Sequence, residues 1–177
     1  MYRMALLIAL ATPAPPPLTV SAAGVGPIHA DTVVRARTLT RLLPGYRAHE
    51  QADESEGERV GHAVTLSEDG RPALVVHGDA ARRLVSVEVR SPAIAAPHGL
   101  HVGAAFAALQ KVGKLDCQRG AEERAGELIC RVVGSPAVAY VGEVAELGAR
   151  WSGPDDQVPP AAQVATLTIR RIAWTPR

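Results

Sequence analysis

The chain has 177 residues, 47% of them hydrophobic, with 19 basic against 18 acidic side chains and a formal net charge of +1. That length fits one domain with a real core. The balanced charge excludes the concentrated basic surface by which nucleic-acid proteins displace counterions from phosphates. Aromatic residues are only 3% of the total, so the core must be built from Val, Leu, Ile and Ala. No apolar run reaches the roughly 18 to 20 residues that cross a bilayer. A soluble globular domain is expected.

The N-terminus departs from that picture. Met1–Ala11 carries one basic residue, Arg3, ahead of a short apolar run, and Ser21-Ala22-Ala23 supplies the small residues of a cleavage site. This predicts residues 1–23 as a secretory signal peptide and residues 24–177 as the mature domain. A disordered Ala/Pro-rich leader on a cytosolic protein is the alternative.

After the leader, Asp31-Thr32 is expected to cap a helix whose apolar stripe is Val33, Leu39, Leu42 and Leu43, with Pro44-Gly45 stopping it. Arg35, Arg37 and Arg41 fall off that stripe and read as its solvated face. Tyr46-Arg47-Ala48 begins a strand expected to dissolve into an acidic loop over 51–58. Arg59–Ser67 then alternates with Val60, His62, Val64 and Leu66 on one face, which makes His62 a hydrogen-bonded core or edge histidine. Glu68-Asp69-Gly70 predicts a tight turn into Ala73–His77, and Leu84–Val89 supplies a third strand. Together they form an antiparallel meander.

Gly99 and Gly103 bracket a turn that opens a second helix, Ala104–Gln110, with Phe106 and Leu109 inward. Glu127–Val133, Ala137–Val144 and Val164–Trp174 read as returning strands. In the last, Leu167, Ile169 and Arg171 share one face and Thr166, Thr168, Arg170 and Ile172 the other. The fold class is α+β: a mostly antiparallel sheet, meander plus returning strands, with two short helices and one disulfide.

Cys117 and Cys130 are the only cysteines. In an oxidising compartment such a pair closes, and a loop of about 14 residues contributes on the order of 3 kcal/mol in the chain-entropy model. Two buried free thiols are the alternative reading. A redox pair lacks the Cys-x-x-Cys spacing, and structural zinc wants four ligands.

Chemistry-bearing clusters are few. His98 and His101 lie in a turn rather than on a helix, and no glutamate follows the first as the zinc-protease pattern requires. Glu122-Glu123 reads as a solvated loop tip. No Gly-x-Ser-x-Gly elbow and no phosphate-binding glycine loop is present. Trp151-Ser152-Gly153-Pro154-Asp155-Asp156 reads as a rigid turn carrying a tryptophan, a natural interface anchor if exposed. Candidate binding residues are therefore His98, His101, Trp151 and Asp155, with no catalytic residue, metal or cofactor expected.

Several motifs occur in a recognisable order. They are Gly26-Pro27-Ile28, the Gly-x-His-x-Gly turn at 99–103, and Cys117-x-x-Gly120-x-Glu122-Glu123-x-x-Gly126-x-x-x-Cys130. Tyr140, Trp151-x-Gly153-Pro154-Asp155, Pro159-Pro160 and Ile172-x-Trp174-x-Pro176 follow. This series resembles the DUF1131 family of bacterial envelope proteins, which includes RpoE-regulated lipoproteins. The resemblance implies a periplasmic α+β domain linked to envelope stress, and brings no activity or catalytic residues. The leader has no cysteine to acylate, so a lipid anchor is not expected. The expected function is a non-enzymatic, exported module that binds another protein or the cell wall. The alternatives are a small-ligand binder using a cleft near His101 and Trp151, and a hydrolase using His98, His101 and a carboxylate.

Overall fold

The computed structural model describes residues 17–55, 58–121, 124–150, 153 and 157–176. Residues 1–16, which hold most of the expected signal peptide, the Glu122-Glu123 pair, Trp151 and Asp155 lie outside the described residues.

Eight antiparallel strands form one sheet. β3 (Arg47–Ser55), β4 (Glu58–Glu68), β5 (Arg71–Asp79) and β6 (Leu84–Val89) make the expected meander. β7 (Leu115–Arg119), β8 (Glu127–Val132) and β9 (Val138–Glu143) make a second one. The last strand, β10 (Arg171–Trp174), enters between β6 and β9 and joins the halves, giving the order β3-β4-β5-β6-β10-β9-β8-β7. Before the sheet, β1 (Val20–Ser21) and β2 (Gly24–Val25) pair as a small hairpin.

Alternation decides which face is covered. Val64, Leu66, Leu74, Val76, Val87, Val89, Tyr140, Ile172 and Trp174 are all at most 2% exposed and belong to one core. α1 (Ala36–Leu42), α2 (Phe106–Gln110) and the loops contributing Ile94, Leu100, Leu167 and Ile169 pack against them. With so few aromatics, their placement matters: Trp174, Tyr140 and Phe106 are the largest fully buried side chains. Phe106 fits because β9 offers Gly142 beneath it, where a Cβ would sit 2.8 Å from the ring. The β4–β5 turn falls where Glu68-Asp69-Gly70 predicted it, with Asp69 and Gly70 at φ 48° and 77°, the left-handed pair of a tight hairpin.

Five expectations need correction. α1 begins at Ala36, and neither Asp31 nor Thr32 caps it; Thr32 Oγ1 instead accepts from His29 N–H. The Ala36 N–H is taken by Glu50 Oε2 from β3, a carboxylate placed on the positive helix end. Val33 is 47% exposed, and Val34 is the buried neighbour. The acidic stretch after Tyr46 is not a loop but the long edge strand β3, whose ladder needs no apolar alternation because much of it faces water. Val164–Trp174 is not one strand: α3 (Ala161–Val164) precedes an irregular segment, and Leu167, Ile169, Ile172 and Trp174 are all buried. An extended chain would put 169 and 172 on opposite faces, so the backbone breaks its alternation at Arg170-Arg171. The segment leaving α2 is a strand, β7, where only a connection was expected.

Residues before 24 also pack on the domain. Val20 is 4% exposed, its N–H bonds Ala95 O, and Trp174 Nε1 donates to Ala22 O. The boundary expected after Ala23 therefore falls inside the β1–β2 hairpin.

Cys117 and Cys130 are bonded, as expected, across β7 and β8. Val133 N–H bonds Lys114 O and Gly120 N–H bonds Glu127 O in the same register. The cysteines therefore occupy a non-hydrogen-bonded pair, where facing side chains approach most closely.

Candidate functional site: an amphipathic cleft

The paired histidines are both exposed. His98 is exposed in a 3-10 turn, Pro97–Gly99, at φ 65°, and His101 is exposed with Nδ1 2.9 Å from Val102 O. Among the described residues no group of three or more His, Cys, Asp or Glu side chains is placed to hold a metal.

The chain instead forms a cleft at the end of the sheet where β4 turns into β5. Three stretches wall it. The first is the turn after α1, where Leu43 N–H bonds Leu39 O and Tyr46 N–H bonds Leu43 O, packing Leu42 to Tyr46 into a tight corner. The second is the N-terminal segment Pro17-Leu18, held by the Thr19–Ala95 bridge and by Gly26 N–H on Thr19 O. The third is Ala93-Ile94, which follows Pro92 at the end of β6. These residues, with Pro27 and Glu68, enclose about 400 Å³, within the roughly 300 to 1,000 Å³ of small-molecule sites.

Most of the wall is hydrocarbon. The side chains able to offer hydrogen bonds or charge are Tyr46 and Glu68. Burial, and secondarily the Glu68 carboxylate, push the Tyr46 phenol above its ordinary range, so it stays a neutral donor at physiological pH. Glu68 and Ala93 also line a second, more polar hollow of about 610 Å³, completed by Asp69, Arg71, Ser91 and Arg90 among others. Arg90 is tied to Glu88 at 3.1 Å, whereas Arg71 is exposed and makes no ion pair among the described residues. The two hollows adjoin, one apolar and one charged.

Sequence reasoning did not select these residues. It read Pro44-Gly45 and Glu68-Asp69-Gly70 as turns, which they are, but nothing in the linear chain brings 17–18, 42–46, 68 and 93–94 together. It is a different cleft from the one expected near His101 and Trp151, of which Trp151 lies outside the described residues.

Fold and site define an antiparallel α+β domain with a disulfide-braced edge and an amphipathic cleft. The chain belongs to the family described as "Protein of unknown function (DUF1131)", which matches residues 14–176. Among solved structures it is similar to the crystal structure of the uncharacterized protein yfeY from Escherichia coli. The TM-score is 0.70 at 21% identity, over 89% of this chain and 99% of that one. At that identity the likeness shows the shared fold. A comparison with curated proteins finds no match.

Proposed function

We propose that this chain is a non-catalytic binding protein of the bacterial periplasm that holds an amphipathic ligand. The ligand's apolar end sits among Leu18, Leu42, Leu43 and Ile94, and its polar or anionic end lies over Arg71. The observation that carries this reading is the junction of the two hollows: an apolar chamber that adjoins a charged shelf at Glu68 and Ala93. An arginine without an ion-pair partner beside an apolar chamber suits an acyl chain with a carboxylate or phosphate head. The leader-like Met1–Ala11 and the Cys117–Cys130 bond support an exported, oxidising setting. Among the described residues no helix is long and apolar enough to cross a membrane.

The test is displacement of an environment-sensitive naphthylamine dye by long-chain fatty acids and lysophospholipids. Dye and lipid should compete, and Gly45→Trp should abolish both. Gly45 lines the chamber, and a Cβ there meets no heavy atom within 4 Å, so the bulk has room to enter without breaking the fold. Arg71→Glu should weaken anionic lipids while sparing the neutral dye. Unaltered dye binding in Gly45→Trp with native far-UV dichroism would sink the reading.

A further inference from the structure

The two ends of the sheet are finished differently. β3 is shifted in register at Asp53/Glu54, an irregularity of the kind that discourages strand addition. β7 pairs with β8 without any shift, contains no proline, and is the last strand on its side. The β7–β8 register turns the backbone groups of Lys114, Asp116, Gln118 and Gly120 toward β8. Those of Leu115, Cys117 and Arg119 point outward, and none of them has a hydrogen-bond partner among the described residues.

This edge borders a groove of about 560 Å³ whose far wall includes Val158, Pro159 and Val164. Leu115, Asp116 and Cys117 line it consecutively. Consecutive residues of a strand point to opposite faces, so the groove runs along the backbone edge itself. One step further on the face shared by Leu115 and Cys117 is Arg119. Its Nε and Nη1 are buried and have no hydrogen-bond partner among the described residues. A guanidinium is always charged, and leaving its donors buried and unpaired is costly.

We infer that the β7 edge is a strand-addition site for an extended segment of a partner protein bearing a carboxylate that pairs with Arg119. Main-chain bonds to Leu115, Cys117 and Arg119 supply the register. Apolar side chains of the incoming strand enter the groove against Val158 and Val164. The carboxylate satisfies the donors that the fold leaves open. The Cys117–Cys130 bond fixes the edge beforehand, so binding does not have to order it. This site is separate from the cleft at Tyr46 and stands or falls independently of it.

The probes are three nine-residue peptides of alternating valine and threonine. One carries a central aspartate, the second has asparagine there, and the third is the aspartate peptide N-methylated on its pairing amides. Amide exchange and fluorescence anisotropy on the full chain read the outcome. The aspartate peptide should slow exchange at the Leu115, Cys117 and Arg119 amides and bind about tenfold tighter than the asparagine form, the scale of one charge-assisted pair. N-methylation should abolish binding, and Arg119→Met should erase the aspartate preference. Equal binding of the N-methylated peptide, a preference that survives Arg119→Met, or no protection at millimolar peptide overturns the inference. Protection that rises with protein concentration alone also overturns it, because the occupant would then be a second copy.

Discussion

Phe106 and Gly142 show how a chain poor in aromatics fixes its core at single positions. The ring is fully buried against Gly142, the one position of β9 without a side chain. Gly142→Ala should therefore cost about 1 to 3 kcal/mol by overpacking, and Phe106→Leu in the same chain should recover part of it, as a double-mutant cycle in urea would show. Tyr140 makes a second residue-scale case. Burial raises its phenol from 10.0 to about 12. The folded state holds that proton more tightly than the unfolded chain, so its contribution is intact below pH 10 and is lost as pH rises through 12. The loss approaches about 2 to 3 kcal/mol, the equivalent of two pKa units. Unfolding midpoints measured across pH 9 to 12 should fall more steeply in the wild type than in Tyr140→Phe.

Among elements, those with a marked apolar pattern were legible and those at the sheet margins were not. β4 carries Val64 and Leu66 at period two, β5 is a short continuous apolar run, and β6 alternates through Val87 and Val89, each beside strong turn signals; α2 announces itself by Phe106 and Leu109 between glycines. β3 and β7 are edges, solvated along one side, so the signal that marks a strand is diluted in both. The start of α1 was illegible for another reason: its capping carboxylate, Glu50, lies fourteen residues away. Glu50 also pairs with Arg82 Nη1 and stands 3.8 Å from His62 Nδ1, which ties α1 to β3, β4 and the β5–β6 turn. The hydrogen bond from Ala36 and then that from Arg82 hold its carboxyl below the usual range. A lowered pKa means that this tie is present above pH 4.5 and fades as pH falls through the folded value. Glu50→Gln should cost about 1 to 3 kcal/mol at pH 7, the range for a charged hydrogen bond. The penalty should shrink in acid, as melts at pH 7 and pH 3 would show. The disulfide was legible from an even cysteine count taken with an expected oxidising compartment; reducing it should lower stability by about 3 kcal/mol for a closed loop of this size, read as a shift in the urea midpoint with and without reductant.

At the scale of the whole molecule, the cleft depends on how the N-terminal hairpin meets the last strand. β10 closes the sheet, and its last residue, Trp174, reaches back to Ala22 through the indole N–H. The N-terminal hairpin in turn positions Leu18 at the cleft and buries Val20 against the same core. A chain begun at residue 24 lacks Val20, the Ala22 acceptor and Leu18, while β3 to β10 keep their own pairings. Losing a buried valine costs roughly 1.5 to 3 kcal/mol, and an unpaired buried donor adds about 1 to 3 kcal/mol. Residues 24–177 should therefore fold with a urea midpoint well below that of residues 17–177, and should bind the naphthylamine dye weakly because one wall of the chamber is missing. The β7 groove shares no residue with that wall, so peptide binding there should survive the truncation. If the shorter chain is as stable as the longer one, the hairpin is peripheral and export processing after Ala23 is structurally permitted. If it is destabilised as expected, residues 17–23 are an integral part of the stable fold and of the cleft wall.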